Sequence, residues 1–258
     1  MALPSVRLPA GWAATADDLS GRVVLITGAC GGLGSAVAHA AARAGATVVI
    51  SGKRQRQLEQ LYDSIKASGG TEPVIHPLDL EAATPRDYQA VADGLARDFG
   101  RLDGIVHAAA NFSGLTPLAL HKPDDWLRAL HVNVSAPFAL TQACMPLLTA
   151  APDSAVVFVL DDPDLLRRAH WGAYGVAKAA LERYVEILHE ENDGGTLRVH
   201  ALLPAPMRTA LRRQAYFGED TLLHPLPDSA AAAVIHLLGP RGGAARGQVL
   251  DLRADTSA

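Results

Sequence analysis

The sequence is short of two residue types that often carry chemistry. Among 258 residues there are two cysteines, Cys30 and Cys144, and four lysines, Lys53, Lys66, Lys122 and Lys178. Two cysteines provide neither a disulfide framework nor a structural zinc ligand set. The ten histidines occur without a His-Glu-x-x-His pattern or close pairing, so no metal site is expected. Positive charge is also in deficit: 23 Lys and Arg stand against 27 Asp and Glu, for a formal net charge of −4. Such a chain exerts no overall attraction on nucleic acid or an anionic membrane, and neither partner is expected. The longest stretch free of Asp, Glu, Lys, Arg and His is residues 132–152, which carries Asn133, Gln142, Pro137 and Pro146. It is a poor membrane span and fits a core or subunit-interface helix. Residues 1–21 lack a charged start followed by an apolar run, so no secretory signal is expected. A soluble, cytoplasmic protein is the expectation.

What the chain does have is order. A composition of 49% hydrophobic and 19% charged residues excludes disorder. Short β-branched runs at residues 23–27, 47–51, 74–78, 104–108, 155–160, 197–203 and 248–252 alternate with stretches rich in Ala, Leu and Arg. The helical patterns include residues 35–44, 55–67, 85–99 and 174–191. Strands apolar on both faces, separated by helix-length crossovers, indicate a parallel sheet covered on both sides. The fold class is therefore α/β, a Rossmann-type doubly wound parallel sheet of about seven strands in three αβα layers. An eightfold barrel alternates in the same way, but seven strands and the first loop argue against it. No repeat or linker marks a second domain. Residues 1–20 read as an N-terminal extension and residues 21–258 as one nucleotide-binding domain.

The first strand ends in a glycine loop, with Gly28, Gly32 and Gly34 in a G-x-x-x-G-x-G spacing before a helix. Gly28 permits the tight turn, Gly32 lets backbone approach a phosphate, and Gly34 lets the helix pack closely on the strand. The helix N-terminus then offers free N–H groups to a pyrophosphate. An ordinary glycine-rich turn has the same composition, but the strand before it and the helix after it favour a dinucleotide site. No Lys-Ser or Lys-Thr follows the glycines, which excludes a P-loop ATPase. At the end of the second strand an NAD-preferring site usually carries Asp or Glu about 20 residues past the glycines. Here Gly52, Lys53 and Arg54 occupy that position, with no acid before Glu59. Positive charge beside open space fits a 2′-phosphate, so NADP(H) is preferred over NAD(H).

Tyr174 and Lys178 lie four residues apart at the start of a long helix, one turn apart on one face. An ammonium near a phenol lowers the phenol pKa and makes it a usable general acid/base. The implied chemistry is proton exchange at a carbonyl or alcohol oxygen, coupled to hydride transfer by a nicotinamide.

With the Thr27–Gly34 loop and the Tyr174/Lys178 pair in view, the sequence resembles the short-chain dehydrogenase/reductase family over roughly residues 20 to 253. Trp171 to Tyr174 and Pro206 to Arg212 look most similar to the bacterial YciK-like branch. The resemblance implies cofactor contacts from Gly28, Cys30, Gly32, Leu33 and Gly34, from Lys53 and Arg54, and from Asp79 and Leu80 beside the adenine. It adds Ala108 and Pro204, Thr209 near the nicotinamide amide, and Tyr174 and Lys178. It gives catalytic roles to Tyr174 and Lys178, and to Asn133 as holder of a proton-relay water. It also implies a homodimer or homotetramer and a small carbonyl or alcohol substrate.

Departures from the family pattern cluster at the catalytic end. The family's serine lies thirteen residues before the tyrosine, where this chain has Asp161, and no Ser or Thr occurs between Ser154 and Tyr174. A carboxylate there repels a developing oxyanion that a hydroxyl would stabilise. Either Asp161 takes the serine's place toward substrate, or it is a surface turn residue before Pro163. The usual Asn-Asn-Ala-Gly reads His107-Ala108-Ala109-Ala110, and the usual Pro-Gly reads Pro204-Ala205. His107 and His170 fall near the site, although lone histidines more often pack or face solvent. Residues 207–226 fall where the family carries its substrate-covering loop, and a plain surface helix fits them equally. The leading function is an NADP(H)-dependent oxidoreductase on a carbonyl/alcohol pair. The alternative is a catalytically impaired NADP(H)-binding sensor or structural subunit.

Overall fold

All five residues of the first long strand, Val23–Thr27, are buried, a pattern that needs cover on both faces. The computed structural model, which describes residues 3–253, supplies that cover. Its elements begin β1 (Ser5–Val6), β2 (Val23–Thr27), α1 (Gly32–Arg43), β3 (Thr47–Gly52), α2 (Gln55–Ala67) and β4 (Val74–Pro77). They continue with α3 (Pro85–Phe99), β5 (Gly104–His107), α4 (Pro123–Leu130), α5 (Ala136–Ala150), β6 (Ser154–Val159) and α6 (Pro163–Leu166). The last are α7 (Gly172–Glu191), β7 (Leu197–Leu203), α8 (Ala210–Ala215), α9 (Asp228–Leu238) and β8 (Val249–Asp251).

The strands form one parallel sheet in the order β1-β8-β7-β6-β5-β2-β3-β4. Alternate residues of each strand face opposite sides. Val24 and Ile26 pack with Val37, Ala41 and Val234 under α1 and α9, while Leu25 and Ile105 pack with Tyr88, Leu140 and Val185 under α3, α5 and α7. This is the expected three-layer arrangement. The expected count of about seven strands is corrected to eight, because Ser5 and Val6 pair with Val249 and Leu250. Two residues carry no readable period. The added strand forms where β8 would otherwise leave unpaired backbone groups.

The order of connection positions the site. From β2 the chain winds outward to β3 and β4, then returns to β5 on the other side of β2 and winds outward to β8. Thr27, at the end of β2, therefore lies between Ser51 of β3 and His107 of β5. A crevice opens at such a reversal, beyond the C-terminal strand ends. Between α4 and α5 the helix widens into a π turn, His131–Ser135, which buries Asn133.

Candidate active site

Two of the loop glycines are required by close approach. Gly28 has φ +64°, and a Cβ there would lie 2.6 Å from Ala109 Cα. A Cβ on Gly34 would lie 2.2 Å from the Gly28 carbonyl oxygen, so a side chain would push α1 off the strand. α1 begins at Gly32, ahead of the expected residue 35, and its N-cap Gly31 makes no side-chain cap bond. With no acidic residue in the first turn, the helix N-terminus is left open to an anion.

A cleft of about 400 Å³ runs from this loop to Tyr174. It is lined by Gly28, Gly32, Leu33, Gly34, Lys53, Asp79, Leu80, Ala108, Asp161, Tyr174, Lys178, Pro204 and Thr209, all singled out from the sequence. Cys30, Arg54 and Asn133 are not among the lining residues. Cys30 is half-buried, and burial raises its thiol pKa against the lowering effect of Arg54. Arg54 is the exposed N-cap of α2. Lys53 is in the cleft but is ion-paired with Glu81 at 2.8 Å. Glu81 escaped the sequence reading because it belongs to the β4–α3 loop, 28 residues from Lys53.

At the other end of the cleft stands Tyr174, 4% exposed. Its hydroxyl donates to Asp161 Oδ2 at 2.9 Å. The end of β6 carries Asp161 to the phenol. Asp161 Oδ1 accepts from the Asp162 amide at 2.8 Å, which fixes the carboxylate. Lys178 Nζ donates to the Val159 carbonyl at 2.7 Å and sits 5.6 Å from the Tyr174 ring centre.

The expected lowering of the phenol pKa is reversed. Burial, followed by the charge and hydrogen bond of Asp161, holds Tyr174 well above its ordinary value. Burial lowers Lys178 to about 8, partly opposed by Asp161. Asn133 has partners of its own beside the cleft. Its Nδ2 donates to the carbonyls of Asn111 and Ala129, each at 2.8 Å, and its Oδ1 accepts from the Asn111 amide at 3.1 Å. These bonds tie the loop after β5 to the π turn.

His107 is buried in the sheet, bonded to Thr141 through Nε2 at 2.9 Å and stacked on Phe158, and burial pushes it down to about 3. It braces β5 against α5. His170 is exposed, with φ +77°. From the segment expected to cover the substrate, Met207, Leu211, Arg212 and Tyr216 line the cleft, whereas Phe217, Leu222 and Leu223 face solvent. Arg253 also lines it, pairing with Asp162 at 3.0 Å and Asp251 at 2.9 Å. Sequence reasoning missed Arg253 because it follows the last strand and no motif marks it. Among the described residues, no group of three or more His, Cys, Asp or Glu could hold a metal ion. No helix among them is long and apolar enough to cross a membrane.

A doubly wound sheet with a glycine loop at its reversal and a buried Tyr/Lys pair defines a nucleotide-dependent oxidoreductase scaffold. The short chain dehydrogenase family matches residues 22–219, and the chain belongs to that family. Among curated relatives, it is 34% identical to the uncharacterized oxidoreductase YciK of Escherichia coli K12 over 91% of this chain and 93% of that one. A short chain dehydrogenase structure from Pseudomonas syringae superposes with a TM-score of 0.89 at 38% identity, covering 93% of this chain and 98% of that one. A short chain dehydrogenase from Escherichia coli CFT073, solved in complex with NADPH, superposes with a TM-score of 0.88 at 34% identity, covering 92% and 98%.

Proposed function

We propose that this chain is an NADP(H)-dependent reductase of a carbon–heteroatom double bond, with C=O to CH–OH as the general case. The observation that carries the reading is the continuous cleft from the uncapped N-terminus of α1 to the Tyr174 hydroxyl. The residues present fit such a cofactor. The α1 N-terminus suits a pyrophosphate, the glycines leave it room, and Lys53 offers charge to a 2′-phosphate. The NADPH complex of the Escherichia coli CFT073 relative supports the same choice.

When bound, the nicotinamide supplies the hydride. Lys178 holds the cofactor's ribose with its ammonium, kept in place by the Val159 carbonyl. Tyr174 gives its proton to the substrate heteroatom. A phenol held well above its ordinary pKa is protonated at neutral pH, which favours the reductive direction. Trp171, Leu211 and Tyr216 line the substrate end and exclude water from it. The chain works as a homo-oligomer, with the exposed Phe138 of α5 and Val176 and Ile187 of α7 as candidate contact residues.

One observation favours a second reading, a non-catalytic NADP(H)-binding protein: the carboxylate at the phenol accepts a bond where a donor to substrate was expected. NADPH fluorescence titration followed by a substrate screen, with Tyr174→Phe as control, separates the two. Binding with turnover that the mutation abolishes supports the reductase. Binding with no turnover supports the second reading, and no binding overturns both.

A further inference from the structure

We infer that the double bond reduced at this site is carbon–nitrogen: the substrate is an imine, taken as its iminium ion, and the product an amine. This rests on the reading of the cleft as an NADP(H) reductase site and names its substrate class.

The charges around Tyr174 carry the argument. Arg212 is engaged by Glu219 through two hydrogen bonds of 2.7 Å. Arg253 is neutralised by Asp162 and Asp251. Lys178 is turned to the Val159 carbonyl. Asp161 forms no ion pair among the described residues, although Lys178 is within its electrostatic reach, and it lines the cleft and accepts from the Tyr174 hydroxyl, the group proposed to reach the substrate. A carbonyl oxygen gains negative charge as hydride arrives, and a fixed carboxylate opposes that change. An imine nitrogen behaves in the opposite way. The carboxylate favours its protonated form, which is the electrophilic one, and no anion develops on the substrate during reduction.

The walls of the cleft agree with a cationic guest. Trp171 and Tyr216 line the substrate end with ring centres 6.0 Å apart. The Tyr216 face is already covered by Arg212 at 4.5 Å, and the Trp171 ring lines the same cleft as Asp161. An aromatic wall in a cleft with a carboxylate that no cation directly pairs is a setting that receives organic cations.

The step balances without another reagent. The imine takes one proton from solvent and presents its N–H to Asp161. The hydride electron pair forms the new C–H bond, NADPH is oxidised to NADP+, and the C=N π pair becomes the nitrogen lone pair. That lone pair takes the Tyr174 proton as the phenol O–H breaks, and the phenol recovers its proton from solvent.

The test uses the full-length chain and begins with NADPH binding, since absence of binding overturns the cofactor reading and this inference with it. Once cofactor is bound, calorimetry on the NADP+ complex compares pyrrolidine, a cation at neutral pH, with cyclopentanol, its neutral counterpart. Pyrrolidine is expected to bind about ten-fold more tightly, an advantage lost in Asp161→Asn. In turnover, pyrroline is expected to exceed cyclopentanone in kcat/KM by about ten-fold, with Asp161→Ser reversing the order. Cyclopentanol binding as tightly as pyrrolidine, or cyclopentanone matching pyrroline, overturns the inference while the cofactor reading stands. The wild-type comparisons decide the matter even if a variant fails to fold.

Discussion

The Tyr174 hydroxyl and the Asp161 carboxylate share a hydrogen bond of 2.9 Å inside a largely apolar pocket. Phe112 and Trp171 enclose the phenol ring, with centres 5.2 and 6.0 Å away. An acid in that position holds the tyrosine protonated, whereas a neutral hydroxyl would leave it freer to ionise.

The first prediction concerns that proton. Burial and Asp161 both raise the Tyr174 pKa, so ultraviolet difference titration should find no tyrosinate from Tyr174 up to pH 10, with Tyr174→Phe as reference. Asp161→Asn removes the charge and should move the ionisation downward. An unchanged titration in Asp161→Asn would mean that burial alone sets the pKa.

The pH dependence of cofactor binding should follow Lys178. Burial lowers its pKa from 10.5 to about 8, so the ammonium is present below about 8 and lost above it. NADPH affinity should therefore weaken as pH rises through 8, and Lys178→Arg should move that break upward. Stability of the unliganded protein should respond with the opposite sign. Between about 8 and 10.5 the unfolded chain holds a proton that the folded one does not, so this group favours folding more as pH rises. Affinity that stays level through pH 9 would remove Lys178 from the binding site.

If Lys53 holds the 2′-phosphate as proposed, Glu81 competes with that phosphate for it. The pair is 2.8 Å apart with both side chains partly exposed, so its coupling is modest. Glu81→Gln should tighten NADPH binding by about two- to five-fold and leave NADH unaffected. Equal effects on the two nucleotides, measured by fluorescence titration, would exclude Lys53 as the phosphate ligand.

Acid should destabilise the fold through two buried histidines. Burial lowers His107 and His200 from 6.5 to about 3, so between those values the unfolded chain binds protons that the folded chain refuses. Stability is retained above 6.5 and falls as pH drops toward 3, by up to roughly 1.4 kcal/mol per pH unit for each group. Urea denaturation across that range should show the slope, and His107→Asn should remove about half of these histidines' contribution. Identical slopes in the two proteins would contradict burial as the cause.

Much of the fold was legible because its signals are local. Seven strands announce themselves as apolar runs, and the glycine spacing marks one turn between a strand and a helix. The strand Ser5–Val6 was not legible, since two residues have no period and pair only with the remote Val249 and Leu250. The site divides in the same way. Tyr174 and Lys178 are one turn apart on a helix, but the bonds that Asn133 makes to Asn111 span 22 residues. Lys53 meets Glu81 across a similar gap in sequence.

The parallel sheet, the glycine cradle and the presence of a phenol and an amine on one helix face are written in local sequence. Each follows from the conformational preferences of a few consecutive residues. The tertiary structure decided what those groups can do. Asp161 and Tyr174 are 13 residues apart, one just beyond the end of β6 and the other in the first turn of α7, and only the packing of those elements brings them into contact. Burial then sets the phenol's protonation, because desolvation depends on every neighbour that excludes water and no motif encodes that enclosure.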